Sequence, residues 1–315
     1  MLFVKTKLLL IFFLFISPLF SQTRDCPENG MYPMPVLSEK TKDIFNQLLK
    51  EARTIVDLFP TDYNAVIWYG RRLAYLGHYY DAIKVYENAI AMDPENAIAY
   101  RHRGHRWLTL RCFDKAIADF EKAGSLIQGK MDIVEPDGLP NAQNIPTSTL
   151  QSNIWYHLGL AYFIKRDYPK ALKAYQKCLD VSRNADMYVA ALNWYFITLL
   201  KLGKKEEAEN LLTSLDPEIT LIESQDYHQI LMLYFNKEKV EQVETYLNER
   251  KDLSLLSFGF GLGNYLQELG RCEDARKVFI KILDANQWSS FGFIAAEKEL
   301  QQLKCGNKTD RKSVV

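Results

Sequence analysis

Apolar side chains recur at helical spacing through most of this chain. Ile44, Leu48, Leu49, Ala52, Ile55 and Val56 fall on one stripe and predict a helix over 38–58, which Pro60 stops. Beyond it the stripes come in pairs separated by short polar turns. No stretch alternates with the two-residue period of a strand. The predicted fold class is all-α, and parallel-sheet enzymes are not expected.

Small and aromatic positions inside the stripes repeat. Gly70 and Gly104 are 34 residues apart, as are Ala82 and Ala116, Tyr86 and Phe120, and Ala89 and Ala123. A third copy keeps the internal spacing, with Gly159 followed by Ala171, Tyr175 and Cys178. Its first helix contains Trp155-Tyr156-His157-Leu158-Gly159-Leu160-Ala161-Tyr162, which reads Trp-x-x-Leu-Gly-x-x-Tyr. In this motif and period the chain resembles the tetratricopeptide repeat family, over Tyr63 to about Asp180. The resemblance implies a right-handed α-solenoid of about six helix pairs with a capping helix at each end. Such a scaffold binds proteins or peptides in a concave groove. Gly70, Gly104 and Gly159 are structural positions where two helices approach closely, Ala82, Ala116 and Ala171 are their small partners, and the aromatics fill the seam.

The expected organisation follows. Residues 1–21 form a signal peptide, with Lys5 and Lys7 before the apolar run Leu8–Ile16 and a cut after Ser21. An irregular leader covers 22–37 and an N-terminal capping helix 38–59. Repeats 1 and 2 occupy 60–130, and repeats 3 to 6, the fifth degenerate, occupy 152–288. Between them lies an insertion, 131–151, whose Pro, Gly and Asn content predicts a loop. A C-terminal capping helix covers 289–304, with Glu297, Lys298 and Glu299 facing outward, and a flexible tail covers 305–315.

Charge and cysteines add an address. The export signal predicts a periplasmic or secreted protein, with no stable membrane span once the signal is cut. Removing Lys5 and Lys7 from 39 basic residues leaves 37 against 39 acidic ones, a net charge of −2. That balance gives no support to nucleic-acid binding. Export permits disulfides. Cys272 opens the last paired helix and Cys305 closes the helix that folds back on it, so these two are expected to pair. The partners of Cys26 and Cys112 are left open, and five cysteines leave at least one thiol over. Cys178 reads as a buried thiol.

Candidate chemistry concentrates on the first helices of repeats 1 to 3. The resemblance places their second, fifth and ninth positions in the groove: Asn64, Ile67 and Arg71; Ile98, Arg101 and His105; Asn153, Tyr156 and Leu160. Arg72, His102, Arg103, Arg106 and His157 flank them. Arg71, Arg101, His102, His105, Asn153 and Tyr156 form the expected partner-binding site, a patch suited to carboxylates. It would seat an acidic peptide segment, a chain-terminal carboxylate or an acidic glycan. Changing Arg101 and His105 is expected to cost binding and little stability. The family's best-known dicarboxylate clamp is not matched, since Ile67 and Arg71 stand at its first two positions. No catalytic, metal or cofactor site is expected. His102 and His105 lack an acidic neighbour in sequence, and Gly259, Gly261 and Gly263 follow no strand. The competing reading is a cell-envelope accessory protein or hydrolase acting on peptide or glycan through Asp132, Glu135 and Asp137 of the insertion. Those three are otherwise solvated turn residues.

Overall fold

The computed structural model describes residues 26, 32–136, 138, 141–238, 240–250 and 252–305. The signal peptide, most of the leader and the tail from residue 306 lie outside the described residues. Within them the chain is helical, with fourteen helices. A single isolated bridge, Val134 to Thr149, lies at the base of the insertion. The helices are α1 (Glu39–Leu58), α2 (Tyr63–Tyr75), α3 (Tyr79–Met92), α4 (Ala97–Thr109), α5 (Phe113–Leu126), α6 (Leu150–Ile164) and α7 (Tyr168–Val181). There follow α8 (Ala185–Lys201), α9 (Lys205–Leu212), α10 (Gln225–Asn236), α11 (Val240–Asn248), α12 (Asp252–Glu268), α13 (Cys272–Asp284) and α14 (Phe291–Gln302).

Local chemistry sets the ends of these helices. Side chains of Ser38, Asp62, Asn96, Asn184 and Ser290 accept from the first free backbone N–H groups of α1, α2, α4, α8 and α14. Thr149 and Ser152 cap α6 reciprocally. Each of the five most regular pairs turns through one residue with positive φ: Gly77, Arg111, Arg166, Gly203 and Gly270. The next amide then reaches back five residues to close the helix end, as from Cys112 N to Trp107 O at 2.8 Å and from Asp167 N to Tyr162 O at 2.9 Å.

The seam is one contact repeated. A Cβ at Gly70 would lie 2.5 Å from Tyr86 Cε1, at Gly104 3.0 Å from Phe120 Cε1, at Gly159 2.5 Å from Tyr175 Cε1 and at Gly263 2.2 Å from Phe279 Cε1. The aromatic always sits 16 residues after the glycine. In the fourth pair Phe196 stands at the glycine's register and Leu212 at the aromatic's, so the bulky ring has moved to the first helix. Ala82, Ala116 and Ala171 are fully buried beside these seams. Gly259, Gly261 and Gly263 lie inside α12 and serve packing of this kind.

The first helices α2, α4, α6, α8, α10 and α12 each touch the next first helix, forming an inner layer. The second helices α3, α5, α7 and α9 lie outside, each against its own and the following first helix. This is an all-α, tetratricopeptide-type solenoid.

The C-terminal helix departs from expectation. α14 packs on α12 and α13 and also on α6. Glu297 is 9% exposed and Glu299 5%, so neither faces outward. Glu297 accepts from Arg111 Nε at 3.1 Å, and Glu299 pairs with Lys201 at 3.1 Å and Arg166 at 3.6 Å. The reason is positional: α14 folds back along the turns of pairs two, three and four. It meets the two turns that carry arginine where the others carry glycine, and reaches Lys201 beside the turn at Gly203. Arg111 also lies 3.7 Å above the Trp288 ring and donates to the Trp288 carbonyl at 2.9 Å.

Two disulfides pin this arrangement. Cys272 is joined to Cys305, and Cys26 of the leader to Cys112, beside Arg111. Tyr32 stacks on Trp288 with ring centroids 5.8 Å apart and donates to the Gly77 carbonyl at 2.9 Å. Leader and C-terminal cap therefore meet at the first two turns. Cys178 is the free cysteine, buried, its thiol pushed up to about 12 by loss of solvent.

Candidate functional site

The inner layer does not present an open trough at the first three repeats. Arg71, Arg101, His102, Asn153, Tyr156, Ile67 and Leu160 are all buried, His105 is half-buried and Asn64 is exposed. Two segments of the chain itself cover this face. From one side α14 sets Phe291 against His105 and His157, with ring centroids 5.2 Å from each. From the other, the insertion lies across α2, α4 and α6. Between them remains a cavity of about 260 Å³. Arg71, Arg101, Arg106, His102, His105 and His157 line it, with Asn153 and Glu135 at its wall.

Glu135 organises this pocket. Its side chain is 11% exposed and receives Arg101 Nη2 at 3.0 Å, with His102 Nε2 3.7 Å away. Its second oxygen accepts from Asn153 Nδ2 at 3.1 Å. The sequence reading of Glu135 as a solvated turn residue is thus corrected: the insertion carries it inward to the guanidinium. Asp132 is a backbone cap, accepting from Ile133 N at 2.9 Å and Gln151 N at 3.0 Å. Asp137 lies outside the described residues.

Arg101 donates through Nη1 to Nδ1 of His102 at 3.1 Å and Nδ1 of His105 at 3.5 Å. A guanidinium only donates, so both imidazoles accept at Nδ1 and carry their proton on Nε2. His157 does the reverse, donating from Nδ1 to the Asn153 carbonyl at 2.6 Å. Arg101 Nε is buried and makes no hydrogen bond among the described residues. Arg71 lies 4.1 Å above the Trp68 ring and gives Nη2 to the Pro136 carbonyl at 2.7 Å. Arg106 lies 5.6 Å from the Tyr79 ring centroid. Neither Arg71 nor Arg106 has a carboxylate partner among the described residues. Three guanidinium groups therefore face one carboxylate.

Loss of solvent, reinforced by these guanidinium charges, holds His102, His105 and His157 well below the ordinary imidazole range. The sign is then fixed. Above pH about 6.5 the three rings are neutral folded or unfolded and contribute nothing. Below it the unfolded chain takes up protons that the folded pocket refuses, although Glu135 favours them. Stability is expected to fall as pH drops from about 6.5, by up to about 1.4 kcal/mol per pH unit for each ring. Urea midpoints at pH 7.5, 6.5 and 5.5 measure this. His157→Gln should flatten the slope by about one proton, and an unchanged slope would place the acid response elsewhere.

The structure brings together Arg71, Arg101, His102, His105 and Asn153. It separates Tyr156, whose hydroxyl lies 3.5 Å from that of Tyr227, away from the pocket. The fifth position of the third first helix points into packing there, against Tyr175 and Trp194. His78 sits exposed at the start of α3. Arg103, a flanking candidate, is bound to Asp119 through both forks, at 2.9 and 2.7 Å, and is structural. Sequence reasoning set Arg106 beside the groove and kept Glu135 for the hydrolytic reading, leaving both out of the partner-binding patch. The signal for Glu135 was an acidic residue in an insertion directly between two cationic first helices.

Two family models match parts of the chain. The tetratricopeptide repeat family matches residues 152–184, and a TPR repeat family matches 70–105. Within those two stretches the chain carries tetratricopeptide repeats. No curated protein matches it significantly. Among solved structures, a tetratricopeptide repeat protein from Parabacteroides merdae ATCC 43184 is similar at 16% identity and TM-score 0.49, over 82% of this chain and 92% of that one. YrrB, described as a TPR protein with an unusual peptide-binding site, shares 15% identity at TM-score 0.42, over 78% of this chain and 97% of that one. MamA shares 17% identity at TM-score 0.43, over 64% of this chain and 95% of that one.

Proposed function

We propose that this chain is an exported scaffold that captures a protein partner by an acidic group, a chain-terminal carboxylate or an acidic side chain, entering the Arg71–Arg101–Arg106 pocket end-on. One observation carries the reading. The pocket already pairs Arg101 with a carboxylate at 3.0 Å, while Arg71 and Arg106 have none. A volume of about 260 Å³ falls below the roughly 300–1,000 Å³ of sites for drug-sized molecules. It suits the tip of a partner better than an extended segment laid along the inner face. The neutral imidazoles add hydrogen-bonding capacity without charge. Two disulfides among five cysteines support an oxidising compartment, in keeping with the basic and apolar start of the chain.

The hydrolytic alternative finds less support. Asp132 is spent on backbone N–H groups and Glu135 on Arg101, so these two do not face each other as an acid and base pair.

The test is calorimetric titration of the full chain with acetyl-pentaalanyl-glutamate, set against the same peptide ending in glutamine amide. The acidic peptide should bind and the neutral one should not. Arg106→Gln, a half-buried position, should weaken binding about tenfold, the worth of one charge-assisted hydrogen bond. Equal affinity for the two peptides would overturn the reading.

A further inference from the structure

We propose that Glu135 is a built-in occupant of this pocket, and that loop 131–149 is a strap which an incoming carboxylate displaces. The inference rests on the carboxylate reading just given and deepens it. Both Glu135 oxygens are engaged by pocket groups, one by Arg101 and one by Asn153. Those are the contacts a partner's carboxylate would make, so the strap and the partner compete for one seat.

The way the strap is held makes exchange feasible. It clings through polar contacts: Arg71 to the Pro136 carbonyl at 2.7 Å, Arg72 to the Gly138 carbonyl at 2.9 Å, and Asn153 to Ser148 Oγ at 2.8 Å. Farther out, Thr147 donates to Glu223 at 3.0 Å. Its described aliphatic side chains point the other way. Met131 is 92% exposed and Val134 62%, and Ile133 and Ile145 are exposed as well. With Glu135 turned inward and Met131, Ile133, Val134 and Ile145 outward, these aliphatic groups add no hydrophobic burial to closure. Its closed state depends on interactions that another carboxylate can reproduce. Replacement of one carboxylate by another never leaves the buried guanidinium unpaired, which is the costly outcome.

The strap also has a fixed base. Glu135 N donates to the Ser148 carbonyl at 3.1 Å, Leu150 N donates to the Ile133 carbonyl at 2.9 Å, and the two sides bridge at Val134 and Thr149. Its outer end depends on one glycine. A Cβ at Gly138 would lie 1.6 Å from the Tyr75 hydroxyl, so only glycine passes there without moving the strap or the ring.

Two variants therefore unseat the strap by different means. Glu135→Gln removes the charge, and Gly138→Ala keeps the charge but obstructs the seat. Amide hydrogen exchange over 132–150 and titration with acetyl-pentaalanyl-glutamate are measured on the full-length wild type and on both variants. Strap exchange should rise about tenfold in each variant, and affinity for the peptide should rise about tenfold, as expected when a binding-competent minority becomes the majority. In the wild type, saturating peptide should itself speed strap exchange. Equal affinity in all three proteins with unchanged exchange overturns the strap and leaves the carboxylate site standing. No binding to any of the three, with faster exchange in both variants, overturns the carboxylate reading and the displacement but upholds Glu135 as the latch.

Discussion

Arg101→Met is expected to lower the free energy of unfolding by about 3–5 kcal/mol, the usual consequence of removing one partner from a buried ion pair. Arg101 is 7% exposed and gathers Glu135, His102 and His105 around one guanidinium. Its loss strands the Glu135 carboxylate with Asn153 alone and leaves two imidazole Nδ1 atoms without their donor. Periodicity alone points to the opposite, a groove arginine removable at little cost. Urea unfolding of Arg101→Met beside Arg106→Gln separates the two views. The first should shift the midpoint strongly, and the second should stay within about 1 kcal/mol of wild type. A loss below about 1 kcal/mol for Arg101→Met would mean the pocket relaxes to admit water.

Reduction of the two disulfides should be the other large effect. The Cys26–Cys112 link spans 86 residues and Cys272–Cys305 spans 33. Each is expected to contribute about 2–4 kcal/mol, chiefly by restricting the unfolded chain. Thermal unfolding with and without a phosphine reductant gives the combined loss. Cys305→Ser and Cys26→Ser give the separate shares. Thiol titration of unreduced, denatured protein should count one thiol, from Cys178, and reduction should raise that to five. A melting temperature indifferent to reductant would contradict the expectation.

Much of the architecture was legible because it repeats. Glycine at 70, 104 and 159, with an aromatic 16 residues later, is a contact written locally and several times over. The end-to-end pairing of Cys272 with Cys305 followed from two helices lying antiparallel. What could not be read was anything that depends on distant segments meeting. The burial of Glu297 and Glu299 required α14 to double back on the turns at Arg111 and Arg166. The burial of Glu135 required the insertion to fold inward instead of out. Neither event leaves a periodic trace, so both residues looked like ordinary surface carboxylates. The site was half legible for the same reason. The cations sit on regular helices at predictable positions, and their counter-charge sits on an irregular loop.

Open arrays of helix pairs gain and lose units by duplication, because each unit meets only its neighbours. Here the last helix spans turns two, three and four through Glu297 and Glu299. One extra unit spliced between the fourth and sixth pairs would carry those carboxylates out of register with all three cations at once. The return of α14 therefore sets the number of units, and it makes this array a closed figure whose length evolution cannot adjust one repeat at a time.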